Sequence, residues 1–133
     1  MSHSWVRAVE AAIEKKAERP VVLDLRELGS ITDYFIVCHG RNTRQVQAIA
    51  DRIEEVLKSA GVPPNHIEGY DAAEWILMDF VDFVVHVFLE ETRNYYSLEK
   101  LWSDAPRLDP AAPAGIPGPG PAGNPASDTR PIL

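Results

Sequence analysis

Apolar positions near the start of the chain recur at helical spacing. Trp5, Val9, Ala12, Ile13 and Ala17 form one stripe, closed by Pro20, which predicts an amphipathic helix over about residues 4–18. Residues 21–25 (VVLDL) then read as a short strand and Gly29-Ser30 as a loop. Residues 34–38 (YFIVC) form a second strand, stopped by Gly40. Helical spacing returns in Val46, Ile49, Ala50, Ile53, Val56 and Leu57, with Asn42 or Thr43 as a cap and Gly61 as a stop. Ile67-Glu68-Gly69 predicts a brief strand. Two longer strands over 75–80 and 83–89 join through Val81-Asp82, a tight connection lacking the usual Asn-Gly signal. The stretch 92–102 predicts a final helical turn or two, with Leu98, Leu101 and Trp102 facing inward. The order αββαβββα describes an α/β fold, a mixed sheet of about five strands with helices packed on it.

Composition divides the chain. From residue 103 onward Pro, Ala and Gly take over, and eight of the 11 prolines lie there. No periodic apolar pattern survives, so this stretch cannot bury enough surface to offset its ordering entropy. Residues 1–102 are therefore expected to fold as one domain, with 103–133 as a disordered tail. The whole chain carries a net charge of −7, of which the tail holds −1 and the domain −6. Phosphate binding runs on Lys and Arg, so an acidic domain is not expected to bind nucleic acid directly. It fits a basic protein partner. The single cysteine, Cys38 in an apolar strand, excludes an internal disulfide and reads as a small buried hydrophobe. No run approaches a membrane span, and residues 1–20 lack a signal-peptide core. A soluble, cytoplasmic protein without membrane contact is expected.

Candidate chemistry is sparse. Gly29-Ser30 followed by Asp33, with Asp79 and Asp82 on other strands, invites a metal-dependent nucleotidyltransferase reading. That chemistry needs a second carboxylate two residues after the first, and Phe35 stands there; no Lys/Arg cluster awaits a triphosphate. Ser30, Thr32 and Asp33 read more simply as a side-chain-capped turn. His86 has no histidine at ligand spacing. The run Gly40-Arg41-Asn42-Thr43-Arg44 before a helix is a weak anion signal without the glycine pattern of a nucleotide fingerprint. No catalytic residue, metal ligand or cofactor is expected.

The hairpin carries more. If Val81-Asp82 is a two-residue turn, Leu77 pairs with His86 and Trp75 with Phe88. One sheet face then presents Trp75, Leu77, Asp79, Val84, His86 and Phe88, and the wholly apolar opposite face suits the helices. A face mixing a Trp, aliphatics and isolated polar groups has the make-up of an interface hot spot. A second buried layer under the remaining helix is the other reading, and the two stand level. A homodimer through an exposed strand edge or the hairpin face is also open.

Several runs together resemble the ribosomal silencing factor family, RsfS/Iojap. They are Leu23-Asp24-Leu25-Arg26, residues 32–37 (TDYFIV), residues 46–51 (VQAIAD), Glu68-Gly69, Trp75, Asp79-Phe80, Asp82 and residues 85–88 (VHVF). Arg93, Tyr95 or Tyr96, Leu98-Glu99 and Leu101-Trp102 close the pattern. The resemblance covers about residues 5–102 and leaves the Pro-rich tail outside. It implies a nucleotidyltransferase-like topology without the catalytic carboxylates. It also implies a non-enzymatic role, in which the protein binds the large ribosomal subunit through its ribosomal protein number fourteen, blocks joining with the small subunit and represses translation when nutrients are short. Trp75, Leu77, Asp79 and Phe80 are the positions the resemblance links with that contact. His86 and Phe88 join them as the partner-binding set. The family usually has Gly where this chain has Val81, which puts the hairpin turn and the register of residues 84–88 in question.

Overall fold

The computed structural model describes residues 4–108. Helix α1 (Ser4–Glu14) leads into β1 (Glu18–Asp24) and β2 (Tyr34–Gly40), followed by α2 (Thr43–Ser59). Then come β3 (His66–Glu68), β4 (Trp75–Asp79) and β5 (Phe83–Leu89), the short helices α3 (Glu90–Tyr96) and α4 (Leu98–Leu101), and β6 (Arg107–Leu108). The sheet runs β3-β4-β5-β2-β1-β6, with β2 and β5 parallel and every other pair antiparallel. The expected α/β class and mixed sheet are present, with a sixth strand added.

That strand corrects the domain boundary. Leu108 pairs with Val22, Arg107 with Leu23, and Ala105 and Leu108 are buried. The folded unit thus takes in 103–108, which composition assigned to the tail. Two strand residues inside a Pro-rich context leave no periodic signal. The remainder of the expected tail lies outside the described residues.

Helix α1 ends at Glu14, about a turn earlier than its apolar stripe suggested, and Lys16 turns the chain at φ 65°. Ile13, within the helix, is exposed, while Trp5, Val9 and Ala12 are buried. The strand that follows absorbs Pro20 at an irregularity between Glu18 and Val21, a place where a missing amide costs no ladder bond. Helix α2 is capped as expected, the Asn42 side chain accepting from the Gln45 amide at 2.8 Å.

Helices α1 and α2 cover one face of the sheet. Ile76, Met78, Phe80, Phe83, Val85 and Val87 of the hairpin pack there with Val46, Ile49, Ile53 and Leu57 of α2. The other face is covered by the C-terminal segment alone. From the end of β5 it crosses over β2 and β1 to reach the far edge as β6, placing Leu98, Trp102 and Ala105 against Leu23, Leu25, Val37, Phe35 and Phe88. Leu101, expected to face inward, is 75% exposed, because α4 is a single turn that buries only one side.

A buried ion pair holds that crossing segment down. Arg93 and Glu99 are nearly inaccessible, with Arg93 Nη2 2.6 Å and Nε 3.2 Å from one Glu99 carboxylate oxygen. Arg93 Nη1 donates to His39 Nδ1 at 3.0 Å and to the Glu18 carbonyl at 3.3 Å. Burial alone would raise the Glu99 carboxyl, but the Arg93 hydrogen bond and charge outweigh it and hold the group below its ordinary range. Helix α3 ends where Ser97 turns left-handed at φ 49°, which lets Glu99 fold back onto Arg93.

The β4–β5 register is the one alternation predicted: Trp75 opposite Phe88, Leu77 opposite His86 and Asp79 opposite Val84. Val81 keeps it by adopting φ 76°, a region that β-branched side chains rarely enter. The Asp82 amide donates to the Phe80 carbonyl at 2.9 Å, making a tight three-residue turn. Two further bonds fasten it. Asp79 Oδ1 accepts from the Val81 amide at 2.8 Å, and Thr32 Oγ1 donates to the Val81 carbonyl at 3.0 Å. A glycine is therefore dispensable here, at a cost in strain.

Two substitutions test these points. Glu99→Ala leaves a buried guanidinium without its carboxylate and should lower the unfolding free energy by about 3–5 kcal/mol in urea denaturation; an unchanged midpoint would contradict the clamp. Val81→Gly releases backbone strain of about 1–3 kcal/mol against a glycine entropy cost of up to about 1 kcal/mol. Because the Val81 side chain is 61% exposed and little packing is lost, the midpoint should rise, and a fall would show the turn is unstrained.

Candidate functional site

Strand register sets the side chains of the second face in rows. Leu23, Phe35, Val84, Asp79 and His66 form one row across β1, β2, β5, β4 and β3. Val21, Val37, His86, Leu77 and Glu68 form the next, and His39, Phe88 and Trp75 the third. The crossing segment lies over the β1–β2 side of these rows, so exposure rises toward β4. Trp75, Leu77, Asp79 and Val84 are half-buried, and His66 and Glu68 on the edge strand are exposed. A half-covered sheet face with a Trp, a Leu, a Val and a carboxylate results.

The face is divided: part of it is buried and part reaches the surface. Trp75, Leu77 and Asp79 reach the surface, as expected of contact residues. Phe88 and His86 are buried beneath the crossing segment, and Phe80 points to the opposite face, stacked on Phe83 at 4.9 Å within the helix-side core. These three cannot offer a side-chain surface to a partner. Phe80 was misplaced because the motif that singled it out ignores alternation, whereas its odd–even position already put it with Ile76 and Met78. His86 and Phe88 were misplaced because the cover over them comes from residues with little periodicity.

His86 instead organises Trp75. The indole Nε1 donates to His86 Nδ1 at 3.0 Å. The Trp75 ring also lies against Phe88 at 4.9 Å and Tyr96 at 5.0 Å between centroids. Tyr96 and its neighbour Tyr95 are exposed on α3 and pack edge to face. They extend the aromatic surface beyond the hairpin, a contribution that only the crossing path of the chain reveals. Gly69, at φ 82°, permits the turn into β4, since a Cβ there would collide with the Trp75 carbonyl.

Of the residues of the rival enzymatic reading, Ser30 and Asp79 have structural uses for their side chains, and Asp33 and Asp82 are joined through their backbones. Ser30 Oγ accepts from the Thr32 amide at 3.4 Å, Asp79 caps the Val81 amide, and the Asp33 amide donates to the Asp82 carbonyl at 2.9 Å. Among the described residues no group of three or more His, Cys, Asp or Glu side chains is placed to share a metal ion. At the start of α2, Asn42 and the Gln45 side chain take the Gln45 and Arg41 amides, so the anion signal there has a structural use. Among the described residues no helix is long and apolar enough to cross a membrane.

Two histidines under the crossing segment are buried in the neutral direction. Burial pushes His86 down to about 4. His39 is also lowered, by burial first and then by the adjacent Arg93 charge. The unfolded chain binds these protons near pH 6.5 and the folded chain does not. Stability is thus complete above about pH 6.5 and falls as the pH drops from there toward 4, by about 2 kcal/mol at pH 5 from His86 alone. Urea midpoints measured from pH 7.5 to 5 should decline; a flat profile would contradict the burial of neutral imidazoles.

Comparison with known proteins places the chain. The family model "Ribosomal silencing factor during starvation" matches residues 2–129, a span that takes in most of the Pro-rich segment expected to lie outside it. A Halalkalibacterium halodurans protein named Ribosomal silencing factor RsfS is 46% identical over 102 residues, covering 77% of this chain and 87% of that one. A mouse protein named Mitochondrial assembly of ribosomal large subunit protein 1 is 41% identical over 75 residues, 54% of this chain and 33% of that one. A crystal structure of a Chromobacterium violaceum protein superposes with a TM-score of 0.74 at 36% identity, covering 88% of this chain and 98% of that one. By this likeness in sequence and fold, the chain belongs to the ribosomal silencing factor family, RsfS.

Proposed function

We propose that this protein is a non-enzymatic regulator of translation that acts in the cytoplasm on the large ribosomal subunit. It docks through the uncovered part of the second sheet face onto ribosomal protein number fourteen of that subunit. While bound, it occupies surface that the small subunit needs and so prevents joining. The observation that carries this reading is the half-buried side of β4, Trp75, Leu77 and Asp79, with Val84 beside it, on a chain whose family is named for ribosome silencing.

Physical chemistry supports the choice of surface. A stable contact needs about 800 Å² per partner with an aromatic anchor near its centre. Trp75 is such an anchor, fixed by one hydrogen bond and three ring contacts, so little side-chain freedom is lost on binding. Asp79 spends one carboxylate oxygen on the Val81 amide and keeps the other for a basic partner. The acidic balance of the chain speeds encounter with a basic ribosomal protein and disfavours contact with ribosomal RNA. Phe80, His86 and Phe88 support this face from beneath rather than touching the partner.

Purified protein added to separated subunits should lower the yield of joined ribosomes in a sucrose gradient. Trp75→Ala should restore joining by weakening large-subunit binding by about 2 kcal/mol or more, with Asp79→Ala having a smaller effect. Joining that proceeds unchanged at saturating protein would overturn the proposed function. Joining still blocked by both variants would move the contact elsewhere.

A further inference from the structure

Trp75 carries one polar atom, the indole N–H, which can donate and cannot accept. It points into the protein, 3.0 Å from His86 Nδ1. For that bond to form, Nδ1 must present a lone pair, so the ring proton of neutral His86 sits on Nε2. Nε2 is buried and finds no hydrogen-bond partner among the described residues. A buried, unpartnered N–H is costly. An apolar side chain of similar size would fill the same space without that cost, so core packing alone gives no reason for a histidine here. What the histidine does, and a Phe or Leu could not, is take the indole proton.

We propose that His86 is a positioning residue that holds Trp75 with its only polar atom turned inward, so that the surface offers an all-hydrocarbon anchor suited to a partner pocket without a hydrogen-bond acceptor. The proposal rests on the reading of this face as the large-subunit contact. Phe88 and Tyr96 lie against the indole at 4.9 and 5.0 Å and restrain its plane, but neither ring can accept the N–H in the way an imidazole nitrogen does. Without His86, the N–H would enter the contact unpaired or require an acceptor from the partner. The partner surface is thus specified in chemical terms as an apolar or cationic recess that grips the indole ring rather than its nitrogen.

The test uses the full chain, its large-subunit affinity and the indole N–H resonances of its three tryptophans. His86→Phe keeps a ring and removes the acceptor. It should weaken large-subunit binding on the order of tenfold or more and should shift one indole N–H resonance while speeding its exchange with water. His86→Gln, which retains an acceptor, should recover much of that affinity. In a Trp75→Phe background, which has no N–H to satisfy, His86→Phe should cause no further loss. Unchanged affinity of His86→Phe, or equal losses in both backgrounds, would overturn the positioning role. Should the variants not fold, nitrogen chemical shifts of the unsubstituted chain decide the matter: the proton on Nε2 supports the proposal and the proton on Nδ1 overturns it. If Trp75→Ala binds as well as the unsubstituted chain, the contact reading itself fails, an outcome distinct from those of the histidine variants.

Discussion

The buried Arg93–Glu99 pair is the interaction on which the second face of the sheet depends. A guanidinium placed under the chain at this point must be matched on all sides, because an unpaired buried charge costs several kcal/mol. Glu99, the His39 ring and the Glu18 carbonyl meet that demand. In doing so they fix where the segment after β5 runs. It lies over β2 and β1, joins the far edge as β6, and leaves β4 without a lid. Two helices bury most of the first face, and on the second face this pair leaves the β4 side half-open.

The proposed contact makes use of that asymmetry. A fully covered sheet would be a plain α/β core, and a fully open one would expose enough apolar area to aggregate. Here exposure is graded along each row of side chains, from buried Val37 through buried His86 to half-buried Leu77 and exposed Glu68. The buried members anchor the accessible ones. The same gradient ties stability to pH, since the histidines that support the face must remain neutral to stay there. The contact proposed for this surface would work through shape and aromatic packing.

Much of this was legible in the chain. Alternation over 75–80 and 83–89 predicts the observed hairpin register once Val81-Asp82 is taken as a two-residue connection, the one point that Val81 in place of glycine puts in question. The α2 stripe with its Asn42 cap was legible for the same reason, a long period with clear stops. Three features were not. Helix α1 stops at Glu14, short of Ala17, since Lys16 takes a left-handed turn that propensity does not foretell. Strand β6 has two residues and acquires its identity only by pairing with β1. The cover over His86 and Phe88 depends on an ion pair between Arg93 and Glu99, two residues whose charge ordinarily signals the surface. A charged residue in a short helix gives no local sign that it is a keystone, so the boundary between buried and readable parts of the site lay beyond sequence reasoning. Val81 shows the converse: a residue unsuited to its turn is held there by Thr32 and Asp79, and the register survives.

Site-specific photo-crosslinking from position 77 in the full chain, bound to isolated large subunits, tests the central claim most directly. Leu77 lies in the middle of the uncovered rows and has no polar role to lose. The account predicts a crosslink to a ribosomal protein, namely number fourteen of the large subunit, with no crosslink from a probe at exposed Glu55 on the helix side. A crosslink from position 77 to ribosomal RNA, or binding that persists with crosslinks only from the helix side, would contradict it.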